Sequence, residues 1–423
     1  MSEATKKYDI VIFGATGFTG KYVIDEVVRT ESEIPNLKWA VAGRKMRTLQ
    51  EALGKAAERM NRQDLEDIDI IIADTNYYDS LVKMAESAKI VLNCVGPYRF
   101  FGEPVVKACV EGRAHHIDIS GEPQFLEKMQ LHYDAKAKEN NVYIIGSCGW
   151  DSIPAEMGVI YTRDNFDGDL NAVESFIELN STEKIVLHFA TYQSAIHGFA
   201  NANELATLRK SLFTTKLPRP SHKLKNRGSY FWSDVLNSYF MPFPGSDRSV
   251  VSRSQRLFYE EDSLRPIQFA PYNSLGSTTF GLVKALVFGF VFSFLAKFAL
   301  GRSLLEKFPK FFTAGTFSHE GPNEKQMKAA TFKMTFKGNG YKEKQPVNVD
   351  HVDIPDKMIT TTVYGPEAGY ISTPIAMVQC AYSILLEKDK MPGNGGVLPP
   401  GYAFAKTSLI QKLDSHGIKF QVL

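Results

Sequence analysis

Tyr8-Asp9-Ile10-Val11-Ile12-Phe13-Gly14-Ala15-Thr16-Gly17-Phe18-Thr19-Gly20 is the stretch whose reading decides the fold. Residues 8–13 are a short apolar run, Gly14 ends it, and helical spacing follows from Thr19 to Arg29. That is strand, glycine turn, helix. The glycines have G-x-x-G-x-x-G spacing, a variant of the dinucleotide-binding fingerprint in the context that the fingerprint requires. Gly14 permits the tight turn, Gly17 lets the backbone approach a pyrophosphate, and Gly20 lets the helix pack on the strand. The helix start then offers N–H groups and the positive end of its dipole to phosphates. Gly14, Ala15, Thr16, Gly17, Phe18 and Thr19 are therefore the first cofactor-binding candidates, unless the fold has been kept without its cofactor.

The same rhythm continues outward. Strand-like runs at 39–42, 68–73, 89–95, 115–119 and 142–147 alternate with helical spacing at 47–61, 78–87, 103–112 and 123–140. Strands and helices alternating in this way give a parallel sheet covered on both faces. The expected class is α/β, a Rossmann-type doubly wound sheet. After about residue 150 the rhythm changes. Residues 173–194, 327–337 and 357–364 alternate as strands of an antiparallel sheet do, so a second α+β domain is expected. Residues 205–256 hold ten Lys/Arg against two Asp/Glu, with four prolines, and read as a basic, partly irregular excursion with a solvated face. A helix at 372–387, a Gly/Pro loop at 391–402, a helix from Thr407 and a strand at 418–422 close the chain. The domains expected are 1–150 (dinucleotide-binding), 151–371 (substrate and dimerisation) and 372–423 (helices returning to the first).

Composition excludes whole classes. The chain has 423 residues, 44% hydrophobic and 23% charged, with a net charge of +2. That is globular, without the charge excess of a nucleic-acid binder. Cys94, Cys109, Cys148 and Cys380 form no C-x-x-C pair, so they read as free thiols of a reducing compartment, and no metal site is expected. The first residues lack a signal-peptide core, the last four match no retention, peroxisomal or prenyl signal, and the sequon at Asn180 reads as chance. There is no G-x-S-x-G, H-E-x-x-H or P-loop.

The second strand ends in Gly43-Arg44-Lys45, and no acid occurs between Pro35 and Gln50. An NAD site places a carboxylate here for the ribose, whereas an arginine accommodates a 2′-phosphate. Arg44 therefore favours NADP(H) over NAD(H); a solvated basic pair is the alternative. Asp74, after the third strand, can meet the adenine amine or cap a helix. Asn93, Val95, Gly96 and Pro97 lie at the carboxyl end of a central strand, where open sheets bind ligands. Tyr98 there, Asp118 in the run His116–Glu122 and Asp151 in the run Gly146–Pro154 are the catalytic candidates, able to supply an acid, a base or a carbonyl-orienting donor. Ser120 and Asp151 equally suit helix caps.

Residues 285–296 are an apolar run that Gly289 and Ser293 interrupt without adding charge, and the window 275–312 has five basic residues and one acid. Twelve residues are too few to span a bilayer, which needs ~20. An apolar centre with basic rims suits an in-plane membrane helix or shallow hairpin. A buried core helix or a helix at a homodimer interface has the same composition.

Phe13–Gly20, Val41–Arg44, Asn93–Arg99, Asp118–Glu122, Gly149–Pro154, Gly365–Tyr370 and the Gly395–Phe404 loop, taken together, resemble the saccharopine dehydrogenase-like oxidoreductases over the whole chain. That family also resembles bacterial trans-acting enoyl reductases of glycolipid synthesis. The resemblance implies a Rossmann domain, a second α+β domain, a returning C-terminal helix and association with lipid droplets or other membranes. It does not imply saccharopine turnover, because the arginines with which true saccharopine enzymes bind two substrate carboxylates are not identified in this sequence.

Two functions are therefore expected to compete. One is an NADP(H)-dependent oxidoreductase of a small apolar or lipid-linked substrate, in the cytoplasm at a lipid droplet or on the cytosolic face of a membrane. The other is a cofactor-binding, non-catalytic structural or redox-sensing protein of the same surface.

Overall fold

The structure is a computed structural model and describes residues 6–423. In chain order the first part runs β1 (Tyr8–Phe13), α1 (Phe18–Thr30), β2 (Trp39–Gly43), α2 (Met46–Met60), β3 (Asp69–Ile72), α3 (Tyr78–Ser87), β4 (Ala88–Asn93), α4 (Tyr98–Glu111), β5 (His115–Asp118), α5 (Pro123–Glu139) and β6 (Tyr143–Ile145). Then come α6 (Ile153–Asp164), β7 (Asp169–Ser181), β8 (Leu187–His188), α7 (Phe189–Ala200), α8 (Ala202–Leu212), β9 (Phe231–Ser233), β10 (Ser238–Pro242), α9 (Asp247–Asp262), β11 (Gln268–Gly276), α10 (Thr279–Ala296), α11 (Ala299–Lys307) and α12 (Pro309–Phe312). The chain ends with β12 (Phe317–Ser318), α13 (Glu324–Ala329), β13 (Ala330–Tyr341), β14 (Lys357–Pro366), α14 (Thr373–Glu387), β15 (Gly396–Leu398), α15 (Pro400–Phe404), α16 (Leu409–Ser415) and β16 (Lys419–Val422).

Two compact units result. The first comprises the described residues up to Trp150 together with Gly369–Lys412. Its sheet has the order β3-β2-β1-β4-β5-β6-β15, with every pair parallel. Ile10, Val11, Ile12, Val41, Ile90, Val91, Leu92, Ile117 and Ile145 are buried, as continuous apolar strands of a doubly covered sheet must be. The chain leaves β1 toward β2 on one side and reaches β4 on the other, so the topological switch lies between β1 and β4. α14 is buried along nearly its whole length and packs on α1, β4 and β5. β15, only three residues within the loop expected at 391–402, adds the seventh strand.

The second unit comprises Asp151–Ala368 and Leu413–Leu423. Its sheet has the order β16-β14-β13-β7-β11-β10-β9. Pairing is antiparallel except between β7 and β11, so the sheet is mixed rather than antiparallel throughout.

Several boundaries differ from the sequence reading. The alternation over 173–194 stops at Ser181, and Phe189–Ala200 is helix, its first turn capped by His188, whose Nδ1 accepts from Ala190 N–H. α4 starts at Tyr98 rather than near 103 and carries Pro104 in its interior. The apolar run at 285–296 belongs to a longer helix of 18 residues. The last eleven residues, expected with the first domain, lie in the second unit, because β16 pairs with β14.

Candidate functional site: the carboxyl edge of the first sheet

The turn between β1 and α1 is built by its glycines. Gly14 has φ +85°, a left-handed conformation costly for any residue with a side chain, and a Cβ there would stand 2.7 Å from Val95 Cγ2. Gly17 N–H donates to the Gly14 carbonyl and closes the turn. A Cβ on Gly20 would stand 2.3 Å from the Gly14 carbonyl oxygen, so only glycine lets α1 begin against the turn. Thr16 and Gly17 are exposed at its tip. The cap position of α1 is Gly17, and the first turn holds no acid, so the dipole end faces the tip without a carboxylate to neutralise it.

β4 ends at the other side of the switch point. Asn93 is buried: its Oδ1 accepts from Val95 N–H at 3.0 Å, and its amide faces His116 Nε2 at 3.3 Å. Asn93 thus shapes the turn through Val95, Gly96 and Pro97 from beneath. Burial drives the His116 pKa down to about 3, so the imidazole is neutral. Gly96 is exposed, Val95 half-buried and Pro97 buried, and the Gly96–Pro97 bond is cis.

Tyr98 and Glu122 clamp this turn to the next one. Both Glu122 oxygens accept from the first turn of α4: Oε1 from Tyr98 N–H at 2.8 Å and Oε2 from Arg99 N–H at 3.2 Å. In return the Tyr98 hydroxyl donates to the Asn93 carbonyl at 2.8 Å and accepts from Ile119 N–H at 3.3 Å. Burial, then Asp118 nearby, holds the phenol pKa well above its ordinary value. Asp118 is also buried. Its Oδ1 accepts from Ser120 N–H at 2.9 Å and Ser147 N–H at 3.1 Å, tying the end of β5 to the end of β6.

Tyr98 and Asp118 were expected to face a reactant. Instead, both are turned inward and hold backbone, because a buried hydroxyl or carboxylate must find partners and the adjacent strand ends provide them. Asp74 likewise folds back, its Oδ1 accepting from Asn76 N–H at 3.0 Å ahead of α3. Asp151 belongs to the second unit, where its Oδ1 accepts from Ser246 N–H at 3.0 Å. Burial raises its pKa to about 6, with Asp247 beside it. Arg44 and Lys45 are exposed where β2 ends. Glu122 and His116 are structural residues that the sequence shows only as members of a polar run. A carboxylate directly before Pro123, at the start of a helix, was the signal for Glu122, but its targets lie 23 and 24 residues back in the chain.

A glycine turn closed against β4, a helix start free of acid and an exposed arginine after β2 fit a dinucleotide bearing a 2′-phosphate. They define an NADP-binding Rossmann domain of an oxidoreductase. Residues 10–145 match the saccharopine dehydrogenase NADP binding domain. A human protein named saccharopine dehydrogenase-like oxidoreductase is 47% identical over 428 residues, covering all of this chain and 99% of that one. The chain belongs to the saccharopine dehydrogenase-like oxidoreductase family. A Caenorhabditis elegans relative, 38% identical over 98% of both chains, is named lipid droplet localized protein. Among solved structures, saccharopine dehydrogenase (L-Glu forming) from Saccharomyces cerevisiae covers 98% of this chain and 100% of its own at TM-score 0.54. At 13% identity that likeness shows the fold alone.

Proposed function

We propose that the protein is an NADP(H)-dependent oxidoreductase acting on an apolar or lipid-linked carbonyl or alkene, at a lipid droplet or the cytosolic face of a membrane. The observation that carries the redox half is the glycine turn at the switch point. Gly14 to Thr19 would hold the pyrophosphate, Arg44 the 2′-phosphate, and the turn through Val95, Gly96 and Pro97, exposed at Gly96, the nicotinamide side. Bound NADPH supplies the hydride. Asn93, Tyr98, Asp118 and Glu122 keep that edge rigid. The apolar half rests on α10, which exposes an apolar face along its length, and on the name of the nematode relative.

One observation favours the second reading, a cofactor-binding protein without turnover at the same surface. Tyr98 and Asp118, the acid candidates of the first unit, are buried and committed to backbone. Incubating purified protein and NADPH with lipid extracts, and following absorbance of the reduced cofactor, separates the two. Lipid-dependent loss of absorbance that vanishes in Gly17→Val supports turnover. Tight NADPH binding with no loss in any extract supports the second reading.

A further inference from the structure

Two helices of this chain are long and apolar enough, by length and composition, to cross a membrane. The region around α14 is 78% buried within the first unit, whereas α10 is only 11% buried. The placement of exposure along α10 is informative. Phe280 is 80% exposed, Phe290 75% and Phe294 56%, and Val283 and Val287 between them are also exposed. These five lie at spacings of three or four, on one helical face. The opposite line, Leu282, Ala285, Gly289, Phe292 and Ala296, is buried or half-buried. A helix lying on a water-bathed protein would turn polar residues outward. This one turns outward the residues that water disfavours most.

Both ends of α10 are fastened to the same unit. Leu282 is buried near its start. At its end Ala296, Leu295 and Phe292 pack with Tyr192, Ile196 and Leu305. A helix held at both ends lies along its unit, so its ~27 Å cannot be set across a bilayer without leaving that core. The helices that follow repeat the pattern, with Phe298, Leu300 and Phe311 exposed. The charges around the face are one-sided. Glu306 accepts from His197 at 2.9 Å, and Lys310 pairs with Glu320 at 2.9 Å. Lys284, Lys297 and Lys307 are exposed and have no ion pair among the described residues.

We infer that the outward stripe of α10, flanked by Lys284 and Lys297, is a monotopic docking face for an anionic phospholipid surface, into which it sinks side-on without crossing. The phenylalanines enter the acyl boundary while the lysines snorkel to headgroup phosphates. Anionic lipid rather than a second copy of the chain is the occupant because a lysine rim complements phosphate, whereas a self-paired face would set these lysines near one another. This deepens the lipid-surface half of the proposed function and does not depend on the redox half.

The test is flotation with phosphatidylcholine vesicles and with vesicles containing 30% phosphatidylserine, as a chosen composition, alongside melting temperature and NADPH titration. We expect the wild type to float at least tenfold better with the anionic vesicles, since each basic residue near such a surface adds roughly fivefold. Phe290→Asp with Phe294→Asp should stay at the bottom while melting and binding NADPH as the wild type does. If that pair fails to fold, Phe280→Ser with Phe290→Ser, at the two most exposed positions of the stripe, takes its place. Lys284→Glu with Lys297→Glu should lose the anionic preference and keep the weak neutral binding. Undiminished flotation of the aspartate variant, equal binding to both vesicles, or a lipid-free dimer that the aspartate variant dissolves into monomers would each overturn the inference. NADPH titration in the same samples reports separately on the redox reading.

Discussion

Gly17 and Gly20 stand three residues apart in one turn, and the structure assigns them different duties that one experiment separates. A Cβ at Gly20 would be 2.3 Å from the Gly14 carbonyl oxygen and 3.0 Å from Ala15 Cα, both backbone atoms that cannot swing aside. Gly20→Ala must push α1 off β1, a small-to-large change in a packed place costing about 1–3 kcal/mol. For a unit of roughly 200 residues that lowers the melting temperature by roughly 2–12 °C. Gly17 differs: it is exposed, its φ is −72°, and a Cβ would meet only the Gly14 carbonyl oxygen at 3.1 Å. Gly17→Ala should therefore melt within about 0.5 kcal/mol of wild type, as surface substitutions do. On the proposed placement of the cofactor its methyl would lie where backbone and pyrophosphate touch, so NADPH affinity should fall at least tenfold, about 1.4 kcal/mol. Differential scanning fluorimetry and NADPH fluorescence titration on the two variants suffice. Wild-type affinity in Gly17→Ala would move the phosphate site elsewhere, and a wild-type melting curve for Gly20→Ala would refute the packing argument.

Arg44→Asp should weaken NADPH at least tenfold and leave NADH nearly unchanged; similar loss for both nucleotides in parallel titrations would remove Arg44 from the 2′-phosphate. Glu122→Gln keeps the shape but leaves one oxygen to serve two N–H groups, so the first unit should lose about 1–3 kcal/mol by chemical denaturation, with NADPH affinity falling as the 94–98 turn loosens. Asp151, with a folded pKa near 6 against an ordinary 3.8, binds its proton more tightly folded than unfolded. Its contribution is therefore complete below about pH 4 and is lost as pH rises through 6, by up to about 3 kcal/mol. Asp151→Asn, whose side-chain oxygen can still accept from Ser246, should lack that slope and be the more stable protein at pH 7; denaturation midpoints at pH 4.5, 6 and 7.5 check it.

What the chain's own order determined about this protein is whatever is local. The apolar run of β1, the glycines after it and the strand–helix alternation to residue 145 lie within short windows, and period and backbone freedom act over such windows, so the Rossmann sheet, its turn and its cofactor were legible. The exposed place of Arg44 just after β2 was legible for the same reason, and its part in holding a 2′-phosphate is what the Arg44→Asp titration decides. Tertiary structure decided the rest. Tyr98 and Asp118 look like cleft residues in sequence, and they face inward because N–H and C=O groups on neighbouring turns need partners where water is excluded, whereas Asp74 closes a local turn with Asn76. β15, three residues long, exists only because β6 offers an edge, and β16 joins the second sheet because β14 does. The clearest case is the pair of apolar helices. The α10 and α14 regions are both long and apolar enough to cross a membrane, and only packing decides that α14 is covered by a sheet while α10 keeps a stripe of phenylalanine outward. Composition sets how strongly a helix avoids water; its neighbours in space decide whether protein or something else must shield it.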